Sequence, residues 1–208
     1  MNRSLLDWKY LAITIILASL LWFFSFYLQC GVFWFKISIS ALILAGLSLA
    51  LQDSRHLRFT VSWRNICIGI ISAVILYLIF WAGKTISTAI LPFAGDQVGQ
   101  IYGKGEGTST WLIAMLLFFV TGPCEEIYWR GFLQHQLTKR FGGLAGWILA
   151  SAIYAGVHIW SGNFMLFGAA GIAGAFWGAM YWWFKDISPV IISHAIWSTF
   201  IFAVMPVP

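Results

Sequence analysis

The chain has 208 residues, 61% of them hydrophobic and 9% charged, with 13 Trp, 18 Phe and a formal net charge of +5. A soluble domain of this length has no interior large enough to hide that much apolar surface, so the composition points to an all-α polytopic membrane bundle. The basic excess reads as membrane topology and contact with anionic lipid, and nucleic-acid binding is set aside.

A helix crossing a bilayer needs about 20 mostly apolar residues. About seven stretches qualify: 9–29, 33–51, 64–83, 109–129, 144–160, 164–184 and 187–204. Together they predict a single integral-membrane domain over 1–208. The first stretch, apolar from Leu11 to Leu28, exceeds the roughly 7–15 residues of a secretory signal, and Gln29 before Cys30 does not suit a lipoprotein site; a retained helix is expected. Segment 52–64 is a short basic loop in which His56 reads as a solvated residue. Segment 92–110, PFAGDQVGQIYGKGEGTST, is Gly-rich without a charge run and predicts an external, mobile loop. In 164–184, Gly168, Gly171, Gly174, Ala175, Gly178 and Ala179 recur at three- and four-residue spacing, which lets membrane helices approach closely. That places the sixth span centrally, with room for a site beside it.

With the N-terminus in the cytoplasm, the inside segments hold Arg3, Lys9, Arg55, Arg58, Arg64, Arg130, Lys139, Arg140 and Lys185. The outside segments hold only Lys36, Lys84 and Lys104. Cys30, Cys67 and Cys124 show no metal spacing and no disulfide framework.

Five acidic residues, Asp7, Asp53, Asp96, Glu106 and Asp186, fall in or beside the polar breaks. The other two, Glu125 and Glu126, follow directly on the apolar run Trp111–Val120, and His158 and His194 are also set in apolar stretches. Ionisable groups inside a membrane span are costly and by default mark a functional site. Successive helix positions turn by about 100°, so the two glutamates cannot face one point. Glu126 and Arg130 stand at i,i+4 in the favourable order for an ion pair, which leaves Glu125 to project into a cavity. A hairpin turning at Phe141-Gly142-Gly143 would bring Glu125 and His158 level, each roughly 24 Å from the tip. The polar stretch RGFLQHQLTKR suggests that both helices protrude into the cytoplasm. In the last helix Ser188 is expected as the cap and Pro189 as the first residue. Ser198, at i,i+4 from His194, is placed to orient that imidazole, to donate to a substrate oxygen, or only to bond its own backbone.

One carboxylate and two imidazoles in a partly dry cavity suit hydrolysis by a water that Glu125 activates, with a histidine donor at the oxyanion or leaving amine. A Cys124 nucleophile would face such a site poorly.

These residues resemble the CPBP family, the CAAX proteases and bacteriocin-processing enzymes related to the type II CAAX prenyl endopeptidase. The family's EExxxR motif, continuing into RGxLQ, is matched by EEIYWRGFLQ (Glu125, Glu126, Arg130). FxxxH appears as YAGVH (Tyr154, His158), and HxxxN or HxxxD as HAIWS (His194, Ser198). The resemblance implies an intramembrane endopeptidase with a core over 109–200, in which Glu125 activates water with help from His158. It makes His194 and position 198 the oxyanion-side pair, with Ser198 a departure from the family pattern. The implied substrates are membrane-tethered or lipid-modified polypeptides, in what reads as a bacterial plasma membrane. No cofactor is expected; zinc held by the histidines and a carboxylate is the minority alternative. The competing class is a non-catalytic membrane scaffold, or a proton-coupled carrier using the same Glu/His set.

Overall fold

The computed structural model describes residues 6–52 and 57–207. Arg3, Asp53, Arg55 and His56 lie outside the described residues. Within them the chain folds as α1 (Trp8–Phe26), α2 (Phe33–Leu51), α3 (Trp63–Ile90), α4 (Ala94–Gly103), α5 (Thr110–Phe141), α6 (Gly143–Ser161), α7 (Phe164–Phe184) and α8 (Ser188–Val204). Six of these, all but α4 and α8, are long and apolar enough to cross a membrane; α8 is apolar but shorter. The α-helical membrane bundle read from composition is therefore the fold. Two spans run well past their expected ends: α3 continues to Ile90, and α5 reaches Phe141.

Helix ends follow local chemistry. Asp7 accepts from the Lys9 amide at the start of α1, Ser62 from Asn65 before α3, and Asn163 from Leu166 before α7. Lys36 is buried near the start of α2, where its ammonium donates to the Phe24 and Leu28 carbonyls at the end of α1, a favourable place for a cation. Gly142, at φ 86°, makes the turn between α5 and α6, a backbone conformation that carries no steric penalty only for glycine. Before α8 the cap is not Ser188. Asp186 accepts from the Ser188 amide at 2.9 Å and also from Thr60, so Ser188 becomes the first helical residue.

The expected loop over 92–110 is a different object. Its centre is α4, with Asp96 in the first turn. Gln97 and Asn163 tie α4 to the start of α7: the Asn163 amide donates to the Gln97 carbonyl at 2.8 Å, and the Met165 amide donates to Gln97 Oε1 at 3.0 Å. Tyr102 accepts from the Val207 amide. Glycine content alone suggested a loop, but these tertiary hydrogen bonds override that propensity.

The outer surface is apolar: Ile13, Ile16 and Leu20 on α1, and Ile71, Val74 and Leu78 on α3, are exposed. Polar side chains face inward and pair across helices, as Ser25 with Ser40 and Ser38 with Thr121. The stretch RGFLQHQLTKR follows the same rule. Arg130, Gln134 and Gln136 are buried, donating respectively to Gly174, to Gly178 and to Gln52. The polarity of these three residues is thus satisfied inside the bundle, while Lys139, near the end of α5, is exposed.

Candidate active site

α5, which carries both glutamates, is not uniformly α-helical. Leu117–Thr121 and Ile127–Gln134 are π-helical, flanking an α-helical turn over Gly122–Glu126. The Gly122 amide bonds to the Leu117 carbonyl, five residues back. Pro123 offers no N–H and crowds the preceding turn, and the widened turn accommodates it. Such π segments are frequent at functional sites. At Gly122 a Cβ would lie 3.0 Å from the Leu117 carbonyl and 3.1 Å from the Ala195 Cα, so the missing side chain lets α5 press against α8, next to His194.

Glu126 is fully buried. Its Oε1 accepts from Arg130 at 2.8 Å and from His194 Nδ1 at 2.6 Å. The i,i+4 pair therefore forms, and it holds an imidazole from α8 as well. The His194 ring stacks on Trp177, with centroids 3.9 Å apart and planes 18° from parallel. Arg130 lies over the Tyr154 ring at 4.7 Å and over Trp177 at 5.5 Å, so cation, carboxylate and both aromatic supports form one block.

Glu125 projects the other way. Its Oε2 accepts from the Tyr154 hydroxyl at 3.1 Å. His158 ends the regular part of α6, and its Nδ1 lies 2.8 Å from the Tyr154 carbonyl. A carbonyl only accepts, so Nδ1 carries the ring proton and Nε2 holds the lone pair. That lone pair accepts from Trp22 Nε1 of α1 at 3.3 Å. Trp22 was not singled out by sequence reasoning. It is fully buried among many tryptophans, and nothing local distinguishes it.

Glu125, Tyr154, His158, His194 and Ser198 all line a single cavity of about 380 Å³, together with Thr121, Trp177 and Trp197. Glu125 and His158 come level across the α5–α6 hairpin, linked through Tyr154. Glu126 and Arg130 stand behind the wall rather than in it. Cys124 is half-buried and is not among the lining residues.

Ser198 departs from the more active of its expected roles. Its hydroxyl donates to the His194 carbonyl at 2.8 Å, with the Ala195 carbonyl at 3.4 Å, so it bonds its own helix and does not orient the imidazole. A serine oxygen one carbon from the backbone finds a carbonyl one turn back more easily than a ring across the helix. Among the described residues no three His, Cys, Asp or Glu side chains are grouped to hold a metal ion.

The glycines of α7 set the fit of this wall. A Cβ at Gly174 would meet Tyr154 Cδ1 at 2.8 Å, and one at Gly178 would meet Trp147 Cδ1 at 2.7 Å. The freed backbone is also used: Gly174 accepts from Arg130 and Ser151, and Gly178 from Gln134.

Comparison with known proteins gives one finding. No curated protein and no solved structure matches the chain. Residues 107–200 match the family model described as "Type II CAAX prenyl endopeptidase Rce1-like". That segment holds every residue from Glu125 to Ser198 just described, and over it the chain is similar to the Rce1-like type II CAAX prenyl endopeptidases.

Proposed function

We propose that the chain is an intramembrane endopeptidase in which Glu125 activates water. The observation that carries this reading is the convergence of Glu125, His158 and His194 on one cavity inside a helical bundle. Tyr154 orients one oxygen of the Glu125 carboxylate, and the other is available to a water molecule. As that water attacks the scissile carbonyl, Glu125 takes its proton. His158, fixed by Trp22 at Nε2 and by the Tyr154 carbonyl at Nδ1, assists by holding Tyr154, and through it the Glu125 carboxylate, in place. The Glu126 carboxylate holds His194 at Nδ1, and a doubly protonated His194 donates from Nε2–H to the developing oxyanion. Collapse of the tetrahedral species breaks the C–N bond, and the Glu125 carboxylic acid returns its proton to the leaving amine. Peptide and water are thus converted to acid and amine with no covalent intermediate. Ser198 contributes packing, since its proton is committed to a carbonyl.

The substrates are membrane-tethered or lipid-modified polypeptides, whose apolar anchors match a cavity lined by Phe26, Phe33, Phe80, Trp177 and Trp197. The protein sits in a bacterial plasma membrane with its N-terminus in the cytoplasm, a placement supported by the asymmetry of basic residues.

The test compares the membrane proteomes of cells carrying wild-type and Glu125→Gln protein. One or more shortened polypeptides appear only with the wild type, and the purified enzyme then cleaves the captured polypeptide while Glu125→Gln does not. Full cleavage by folded Glu125→Gln rejects the assignment. Strong chelators leave the rate unchanged if the water is activated by Glu125 alone; inhibition reversed by zinc replaces that mechanism with a metal-dependent one.

A further inference from the structure

The cavity continues beyond Glu125 to a second charged group that the hydrolytic reading does not use. Lys104, in the connection between α4 and α5, lines it. Its ammonium lies over the Phe33 ring, 4.9 Å from the centroid, and over the Phe26 ring at 5.6 Å. The Phe26 ring is itself 5.6 Å from that of His158, so the ammonium and the catalytic end are only two ring contacts apart. The backbone of Lys104 is pinned, because its carbonyl accepts from Trp34 Nε1 at 2.9 Å.

Among the described residues this cation has no counter-ion. Among the described residues the ion pairs join Arg58 to Asp186, and Arg130 and His194 to Glu126. None includes Lys104, although Glu106 follows two residues later. Burial pushes the Lys104 ammonium below its ordinary pKa, and the neighbouring Lys36 acts in the same direction. Removing a lone charge from water is costly, and aromatic faces offset that cost only in part. The remainder is recovered when an anion arrives beside this half-buried ammonium. Among the described residues that line the cavity, Glu125 is the carboxylate, and it lies at the far, catalytic end. The unpaired ammonium of Lys104 therefore favours an anionic group at its own end of the cavity.

We propose that Lys104 forms an oxyanion subsite of the cavity, binding a carboxylate or phosphate group of a ligand whose apolar body fills the space toward Glu125. The subsite deepens the endopeptidase reading, on which its catalytic relevance rests. Its occupancy is measurable without turnover. Two sources supply the same chemistry: the C-terminal carboxylate of a peptide, or the phosphate of a lipid headgroup.

The experiment uses Glu125→Gln protein in phosphatidylcholine nanodiscs, with binding read from the fluorescence of the cavity tryptophans and corrected for partition into empty discs. The probes are an N-lauroylated apolar tripeptide with a free carboxylate, its C-terminal amide, dodecyl phosphate and dodecanol. At least one anionic probe binds about tenfold more tightly than its neutral counterpart, the scale of one charge-assisted hydrogen bond. Lys104→Met abolishes that margin, Lys104→Arg keeps most of it, and the neutral probes bind all three proteins alike. A margin for the peptide acid alone assigns the site to a C-terminus, one for dodecyl phosphate alone to a headgroup, and both together to either oxyanion. Equal binding of anionic and neutral probes overturns the proposal, as does a margin that survives Lys104→Met. If Lys104→Met fails to fold, shown by loss of neutral-probe binding, Lys104→Gln takes its place under the same criteria. Cleavage by the wild-type enzyme is scored separately, so loss of the subsite and loss of the protease assignment remain distinct results.

Discussion

The four glycines of α7 form a graded probe of the proposed site. A Cβ at Gly168 meets nothing within 4 Å, and one at Gly171 meets only the Ala155 Cβ at 3.8 Å, an ordinary contact. At Gly174 it meets Tyr154 Cδ1 at 2.8 Å, and at Gly178 it meets Trp147 Cδ1 at 2.7 Å with Gln134 Oε1 at 3.1 Å. Alanine gains about 1 kcal/mol over glycine in helix propensity. Overpacking costs about 1–3 kcal/mol. Gly168→Ala is therefore neutral or stabilising by up to about 1 kcal/mol, while Gly174→Ala and Gly178→Ala each lose about 0–2 kcal/mol on the same bookkeeping. Their effects on catalysis diverge. The Tyr154 ring is boxed by Arg130 at 4.7 Å, Trp129 at 5.1 Å and His158 at 4.9 Å, so it can yield only by moving its hydroxyl on Glu125. A misplacement of that kind costs up to about 10²-fold in rate. Trp147 does not line the cavity, so Gly178→Ala keeps kcat/KM near the wild-type value. Unfolding midpoints in detergent and cleavage of the captured polypeptide are measured for all four variants. Full kcat/KM in Gly174→Ala, or an equal loss in Gly178→Ala, would refute the link from α7 through Tyr154 to Glu125.

Three further outcomes are expected. Trp22→Phe keeps most of the ring and removes the donor to His158. Its kcat falls roughly tenfold, the scale of one hydrogen bond, with KM and unfolding midpoint little changed, and an unaltered kcat shows that Trp22 does not position the imidazole. Arg130→Met leaves the Glu126 carboxylate buried without its cation and destabilises by about 3–5 kcal/mol; equilibrium unfolding that shows a loss below about 1 kcal/mol contradicts the supporting role given to that pair. Burial alone would raise the Asp186 pKa, but hydrogen bonds from Ser188 and Thr60 to the carboxylate outweigh it and hold the group below 3.8. Its contribution, about 1 kcal/mol for a hydrogen-bonded carboxylate, is therefore complete above that pH and fades as pH falls through the lower folded value. The stability gap between wild type and Asp186→Ala narrows in acid, and a gap that widens instead contradicts the assignment.

The sequence was informative where a single helix or turn decides the outcome. Apolar run length placed the spans, Gly142 the hairpin tip, and i,i+4 spacing the Glu126–Arg130 pair, because each depends on neighbours within one turn. The same local reasoning failed over 92–110, where α4 is held by hydrogen bonds to α7 and the C-terminal segment. Nor did it find the partners of Gln134 and Gln136 within RGFLQHQLTKR, which lie on α7 and at the end of α2. It also left Ser198 with three possible partners, and the structure chose the backbone.

What the chain determined by itself is therefore a membrane bundle and a short set of acids and imidazoles too costly to keep in lipid without a use. What only the tertiary structure decided is their partners: Trp22 on His158, Glu126 on His194, Tyr154 on Glu125, and the lone ammonium of Lys104. These contacts join residues 29 to 136 positions apart. No local periodicity records such pairings; they arise only when helix faces close on one another and each buried polar atom must find a partner.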